Sequence, residues 1–401
     1  MMHANALDRR RLLQGTAAFA GLGALAGCTT LAKPAPLTPP PAERIALAPI
    51  RARTDRIFDV TVCLRPFRAA GPRIEVEQVG RKTVVHNYGH GGSGWSLSWG
   101  SGTLAVRMAM AQSSREIAVI GCGALGLTSA ILAQAAGAKV TIYARDLLPD
   151  TRSSRATGSW TPDSRIALTS AAAPGFAARW EEMARISFKT YRRYLGLPGN
   201  PVQWVDRYSV SDLTPAEIAA RPSPPDPLGF AEYRDSISDL VPGWQNLPPE
   251  STPFRVNTVR RTSTMMFNIA DCGHTLMSDF LAAGGKFVRT EFHSLADVAH
   301  LKETVIINCP GYAARELCKD ESVVPVRGQI AWLIPQPEVT YSVVYDGIST
   351  YPRSDGIVVQ YVGGGDIDGY NDANETPNRA EAETAVKKLA PLFDKFGMTG
   401  A

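Results

Sequence analysis

Apolar and polar positions change period along the chain, and the changes mark its elements. Alternation with a period near two runs over residues 57–64 and again over 74–79, with a turn at Ala70-Gly71-Pro72 between them. Such runs predict strands. A third strand over 83–86 leads into Asn87-Tyr88-Gly89-His90-Gly91-Gly92-Ser93-Gly94, and residues 95–110 carry a helical pattern. So many glycines before a helix predict a backbone that closely approaches a ligand. Residues 117–120 predict a strand, 124–136 a small-residue helix closed by Gly137, and 140–143 a further strand. A helix over 174–195 brings Trp180, Met183, Ser187, Tyr191 and Tyr194 near one face, most simply a core stripe. Residues 200–260 are rich in proline and short β-runs. The pattern then gives a helix over 271–283, strands over 286–290 and 304–308, and a strand preceded by Arg327-Gly328-Gln329. A hairpin over 350–356 continues through 358–365, and a helix covers 378–393.

Residues 115–145 organise the rest. Gly121, Gly123 and Gly126 stand in G-x-G-x-x-G spacing between an apolar strand and a helix that a second strand follows. In that context the spacing predicts a βαβ dinucleotide-binding unit. Gly121 allows the tight turn, Gly123 lets the backbone approach a pyrophosphate, and Gly126 lets the helix pack on the strand. Ala124 and Leu125 open the helix whose free N–H groups receive the phosphates. No acidic residue ends the second strand, where Ala144-Arg145-Asp146 stands instead. An arginine there is compatible with the 2′-phosphate of NADP and equally with a flavoenzyme that handles the ribose differently.

Composition narrows the classes. The 401 residues leave room for two intertwined domains, and a formal net charge of +4 is too small to argue for nucleic acid. None of the six cysteines forms a C-x-x-C pair, so metal ligation is not expected. His86 and His90 are four apart, but the intervening Gly89 argues against a helical metal site.

The N-terminus reads as an export signal. Arg9-Arg10-Arg11-Leu12-Leu13-Gln14 resembles the twin-arginine motif, and the apolar region after it ends in Leu25-Ala26-Gly27-Cys28, which resembles a lipobox with Cys28 as the lipidated residue. Residues 29–55 include a proline-rich tether. The expectation is a protein exported to the periplasmic side and lipid-anchored to a bacterial membrane.

Several segments together resemble the D-amino-acid oxidase family of flavoenzymes. They are the fingerprint, Tyr143-Ala144-Arg145-Asp146-Leu147, Asn308-Cys309-Pro310-Gly311, and Val326-Arg327-Gly328-Gln329. Cys63-Leu64-Arg65-Pro66 and Gly71-Pro72-Arg73-Ile74-Glu75 add to these, and the most specific is the segment from His86 to Gly94 with Ser98-Trp99-Gly100. The resemblance implies FAD as cofactor and a D-amino acid and oxygen as substrates. Arg65 would bind the substrate carboxylate through a two-pronged guanidinium contact, and Gly91, Gly92, Ser93 and Gly94 would present donors to the flavin. Ser153, Ser154, Arg145 and Gly311 complete the implied cofactor contacts. The family's hairpin tyrosine falls on Ser349 here, which leaves Tyr345 and Tyr351 as the pocket tyrosines.

The order differs from the family's, in which the Leu-Arg-Pro and His-Asn-Tyr-Gly segments come last. The implied fold is α/β, an FAD-binding Rossmann-type domain with an interleaved mixed-sheet α+β substrate domain, in circularly permuted order. The expected division is 1–28 signal, 29–55 linker, 56–165 and 266–325 FAD-binding, and 166–265 and 326–401 substrate domain, the last with the C-terminal helix. A homodimer is compatible with this reading. Three alternatives stay open: a related flavin amine oxidase acting on glycine, an N-substituted or a D-acidic amino acid; a catalytically inactive FAD-binding lipoprotein; and an NADP dehydrogenase.

Overall fold

The computed structural model describes residues 44–223 and 226–397. Arg9 to Arg11 and Cys28 lie outside the described residues.

The first period-two run becomes β1 (Ile57–Phe67), which continues past residue 64 through Arg65 and Pro66. The hairpin β2 (Arg73–Val79) and β3 (Lys82–Tyr88) follows, then α1 (Gly94–Met110). The fingerprint forms β4 (Glu116–Ile120), α2 (Ala124–Ala135) and β5 (Lys139–Ala144). Next come α3 (Phe176–Tyr191), β6 (Val202–Ser211), the short α4 (Pro215–Ala220), β7 (Gln245–Leu247) and β8 (Thr258–Phe267). The chain continues through α5 (Ile269–Ala282), β9 (Lys286–Arg289), β10 (Val305–Asn308) and the short α6 (Ala314–Leu317). It ends with β11 (Val324–Leu333), β12 (Tyr341–Tyr345), β13 (Ile348–Arg353), β14 (Gly356–Tyr361) and α7 (Arg379–Asp394).

Two sheets result. The six-stranded sheet has the order β2-β3-β10-β4-β5-β9, and all its pairs are parallel except β2 with β3. Its central strands are buried on both faces, as a parallel sheet requires. Val85, Val119 and Ile307 face the core shared with the long helices, and Val84, Ala118 and Ile306 face a smaller cluster with Val298 and Leu317. His86 and Asn308 stitch β3 to β10: Asn308 Nδ2 lies 3.2 Å from His86 Nδ1, and His86 Nε2 lies 2.9 Å from Glu77.

The eight-stranded sheet has the order β1-β11-β14-β13-β12-β6-β8-β7. It is antiparallel except where β12 meets β6. Asn378 caps α7, accepting from the backbone N–H of Glu381 at 3.2 Å. The buried face of α7 is Ala382, Ala385, Val386, Leu389 and Leu392, at helical spacing against this sheet.

The expected segment 56–165 is thus divided between the sheets. β1 pairs with β11 in the larger sheet, while β2 and β3 extend the nucleotide-type sheet. Alternation specifies which face of a strand is buried, not which strand it pairs with. Arg327-Gly328-Gln329 lies within β11 rather than before it. The two long strands β6 and β8 replace the short β-runs expected over 200–260.

The α3 stripe is core: Trp180, Met183, Ser187 and Tyr191 are fully buried. The helix ends at Tyr191, and Tyr194 sits in a single 3-10 turn beyond it. Small residues let α1 lie close to α3. A Cβ on Gly100 would stand 2.1 Å from the Met183 carbonyl oxygen. Residues 45 and 397 are fastened to one stretch, with Ile45 N donating to the Ser251 carbonyl at 2.8 Å and Gly397 N to that of Pro253 at 3.1 Å.

Candidate active site

The turn between β4 and α2 obeys the steric logic of its glycines. Gly121 has φ +94, and a Cβ there would lie 2.3 Å from the Cys309 carbonyl oxygen. A Cβ on Gly126 would lie 2.0 Å from the Gly121 carbonyl oxygen, and one on Gly123 2.5 Å from Ser153 Oγ. Strand, turn and helix therefore touch backbone to backbone. Ser153 Oγ accepts from the first N–H of α2, that of Ala124, at 3.1 Å, and the Ser153 carbonyl accepts from Trp95 Nε1 at 2.8 Å.

This helix start opens onto a cavity of about 370 Å³. Ala124, Leu125, Arg152, Ser153, Gly311 and Tyr312 line one part of it, and His90, Gly91, Gly92 and Gly94 another. Arg65, Gly328, Gln329 and Tyr351 come from the larger sheet. Residues 57–112 thus contribute to the same cavity as the fingerprint and form no separate module.

The glycine loop is fitted to its neighbours. Gly91 has φ +53, and a Cβ on it would stand 1.9 Å from the Arg165 carbonyl oxygen. Gly92 N donates to the Ser164 carbonyl at 3.0 Å, and Ser93 Oγ donates to the same oxygen at 2.9 Å. Ser93 is fully buried in that contact and is not part of the cavity wall.

Arg65 projects from β1 beside β11. Its Nη1 donates to the Arg327 carbonyl at 3.1 Å, and among the described residues it has no carboxylate partner within ion-pair distance. Arg155 likewise holds only a carbonyl, that of Val62 at 3.1 Å, whereas two other cavity cations have carboxylate partners. Arg152 holds Glu375 through Nε at 2.6 Å and Nη2 at 3.0 Å, and Arg327 Nη1 lies 3.4 Å from Glu381.

Besides the fingerprint glycines, which lie behind the helix start, four expected site residues do not line this cavity. Tyr345 pairs across the hairpin with Ile348, so it shares that residue's face of the sheet, opposite to the face of Tyr351. Its hydroxyl lies 2.5 Å from the Asp212 carboxylate, away from the cavity wall, and burial raises its pKa to about 12. Arg145 is exposed and bridges Asp146 and Glu291 at 2.8 and 3.2 Å. Ser154 Oγ turns back to the carbonyls of Pro149 and Thr151 and borders a different, mostly apolar cavity with Cys122 and Leu127. Ser93 is the fourth, as described. Ser349, at the position of the family's hairpin tyrosine, is fully buried, and its hydroxyl has no hydrogen-bond partner among the described residues.

Arg165 was not singled out by the sequence. It has no local signal there, since its importance comes from a left-handed backbone, φ +50, that carries it to the cavity. His90 is also more than a loop residue. Both ring nitrogens are buried without a hydrogen-bond partner among the described residues, and burial lowers its pKa to about 3, so the ring is neutral.

The cavity fits FAD. A glycine-cradled helix N-terminus faces it, and Gly94 and Gly311 line it at points where an added Cβ would meet only open space.

The chain is similar to known proteins. The sequence profile of the family described as "FAD dependent oxidoreductase" matches residues 116–399. A D-amino-acid oxidase of Dictyostelium discoideum is 25% identical over 288 residues, covering 70% of this chain and 74% of that protein. One of Streptomyces coelicolor is 29% identical over 219 residues, covering 54% of this chain and 58% of that protein, so this match spans less than two-thirds of the relative. Among solved structures, the L-proline dehydrogenase from P. horikoshii aligns with a TM-score of 0.44 and 12% identity, over 71% of this chain and 77% of that one.

Proposed function

Because this chain belongs to the FAD dependent oxidoreductase family, we propose that it is an amino-acid oxidase acting on D-amino acids. The overall reaction takes a D-amino acid, oxygen and water to a 2-oxo acid, ammonia and hydrogen peroxide. When bound, FAD supplies the two-electron acceptor for the hydride of the α-carbon and passes the electrons to oxygen.

The observation that carries this reading is Arg65. A guanidinium at a cavity wall with one backbone contact and no carboxylate partner among the described residues is a receptor for an anion. A substrate α-carboxylate satisfies it through two parallel hydrogen bonds, which fixes the α-carbon in the cavity. Gly328 leaves room for that guanidinium, and buried Tyr351 lines the same cavity from β13. Neutral His90 adds no competing charge to the cavity lining.

The test is anaerobic addition of D-alanine to the purified yellow protein, followed by air. Bleaching of the flavin absorbance and then stoichiometric peroxide are expected. No bleaching with any D-amino acid would reject the reading.

We also propose that the chain order is a circular permutation. Residues 57–112 precede the segment that the family profile matches, yet share its sheet and cavity. Anchoring of residues 45 and 397 on residues 251–253 offers a natural joint. A gene rearranged to start at residue 114, with a short linker from 397 to 44, should still yield a flavin-binding protein. A colourless, unfolded product would reject the proposal.

A further inference from the structure

A second guanidinium faces the cavity that holds Arg65. Arg165 sits on a left-handed residue whose backbone is wedged against Gly91. Its Nε donates to the Asp366 carbonyl at 2.8 Å, its Nη2 to the Gly365 carbonyl at 2.9 Å, and its Nη1 to Ser164 Oγ at 3.3 Å. Its one carboxylate partner within ion-pair distance among the described residues is Asp366, 3.2 Å from Nη1, and that carboxylate is 42% exposed while the Arg165 side chain is 12% exposed. An ion pair with one half in water is weak.

Keeping this charge there is costly. Burial, and then the positive charge of Arg65, lower the pKa of Arg165 to about 10. Two like charges near one cavity repel, and a purely structural tie to two carbonyls needs no second full charge beside Arg65. An occupant with two negative ends relieves both groups at once.

We propose that Arg165 is a specificity residue, and that the substrate is an amino acid with an acidic side chain, its α-carboxylate on Arg65 and its second carboxylate on Arg165. This rests on the reading of the cavity as an amino-acid site. The second carboxylate competes with Asp366 for Nη1, so Asp366 acts as a placeholder that keeps the guanidinium aimed when no substrate is present.

The experiment has two readouts on the FAD-loaded protein. Calorimetric binding of malonate and succinate, compared with acetate and propionate, is expected to favour the dicarboxylates at least tenfold. Steady-state kinetics are expected to give a higher kcat/KM for D-aspartate or D-glutamate than for D-alanine. Arg165→Met should lower the ratio of acidic to neutral kcat/KM at least 100-fold and abolish the dicarboxylate preference, and Arg165→Lys should restore part of it. Should Arg165→Met not fold, Asp366→Asn carries the test, since it should tighten dicarboxylate binding severalfold. Equal binding of mono- and dicarboxylates, with D-alanine the better substrate, overturns this proposal and leaves the oxidase reading standing. Failure of every D-amino acid to reduce the flavin overturns the oxidase reading, and the calorimetry then still decides whether Arg165 receives a second carboxylate.

Discussion

The guanidinium of Arg65 occupies the space that a side chain at Gly328 would fill: a Cβ built there would stand 2.2 Å from Nη2, 2.5 Å from Cζ and 2.7 Å from Nη1. Arg65 is therefore aimed by an absence on the neighbouring strand. Gly328→Ala should displace it and raise the KM for the amino acid while leaving FAD content near that of the wild type. Arg65→Ala should cost about 2–5 kcal/mol of substrate binding, and Arg65→Lys should also be poor because an ammonium lacks the fork. Flavin absorbance per protein and kcat/KM measured side by side check this. Equal kcat/KM in all three variants would reject the assignment.

The fingerprint glycines give a second expectation. At Gly126 an added methyl meets backbone 2.0 Å away, which cannot swing aside as a side chain would. Gly126→Ala should cost about 1–3 kcal/mol of stability and yield a protein with little flavin. Wild-type FAD should leave the protein on acid precipitation, as a tightly but non-covalently held group. Full flavin content in the variant would show that the close approach is not required.

His90 sets a pH dependence. Its folded pKa is near 3, and an unfolded histidine titrates near 6.5. Between these values the unfolded chain binds the extra proton, so stability falls as pH falls through that window. From pH 7 to pH 5 this one group should remove about 2 kcal/mol. Urea unfolding of wild type and His90→Asn at both pH values checks it, with the variant expected to lose about 2 kcal/mol less. An identical loss in both proteins would show that His90 is not the titrating group.

The N-terminal motifs support a proposal of export and lipid anchoring. Replacing Arg9, Arg10 and Arg11 by lysine should leave the protein in the cytoplasm, and Cys28→Ala should remove it from the membrane fraction. Labelled fatty acid should enter the wild type and not the Cys28 variant. Its failure to label the wild type would end the lipobox reading.

Local geometry was legible in the sequence, and partnership across the chain was not. The spacing of Gly121, Gly123 and Gly126 specifies the turn through the local contact of Gly126 with Gly121, whereas the neighbours that crowd Gly121 and Gly123, Cys309 and Ser153, lie far along the chain. The α3 stripe is legible for the same reason, since Trp180, Met183, Ser187 and Tyr191 recur at helical spacing. The tyrosines of the β12–β13 hairpin are a different case. The pairing of Tyr345 with Ile348 depends on a two-residue turn, Asp346-Gly347, and that register sends Tyr345 and Tyr351 to opposite faces. Arg165 shows the limit most clearly. Nothing near it in sequence marks it, because its place depends on Gly91, 74 positions earlier, and Asp366, 201 later.

The pairing of β1 with β11 also has a consequence in time. Arg65 and Arg327, hydrogen-bonded across that pair, are 262 positions apart. At about 5–20 residues per second of synthesis, the strand carrying Arg65 emerges from the ribosome tens of seconds before its partner exists. Throughout that interval Ile57, Val62, Leu64 and Phe67, all buried in the finished protein, form an unpaired apolar edge. Nascent chains halted between residues 120 and 320 should therefore be the ones that holdase chaperones retain, and release should coincide with completion of residue 333.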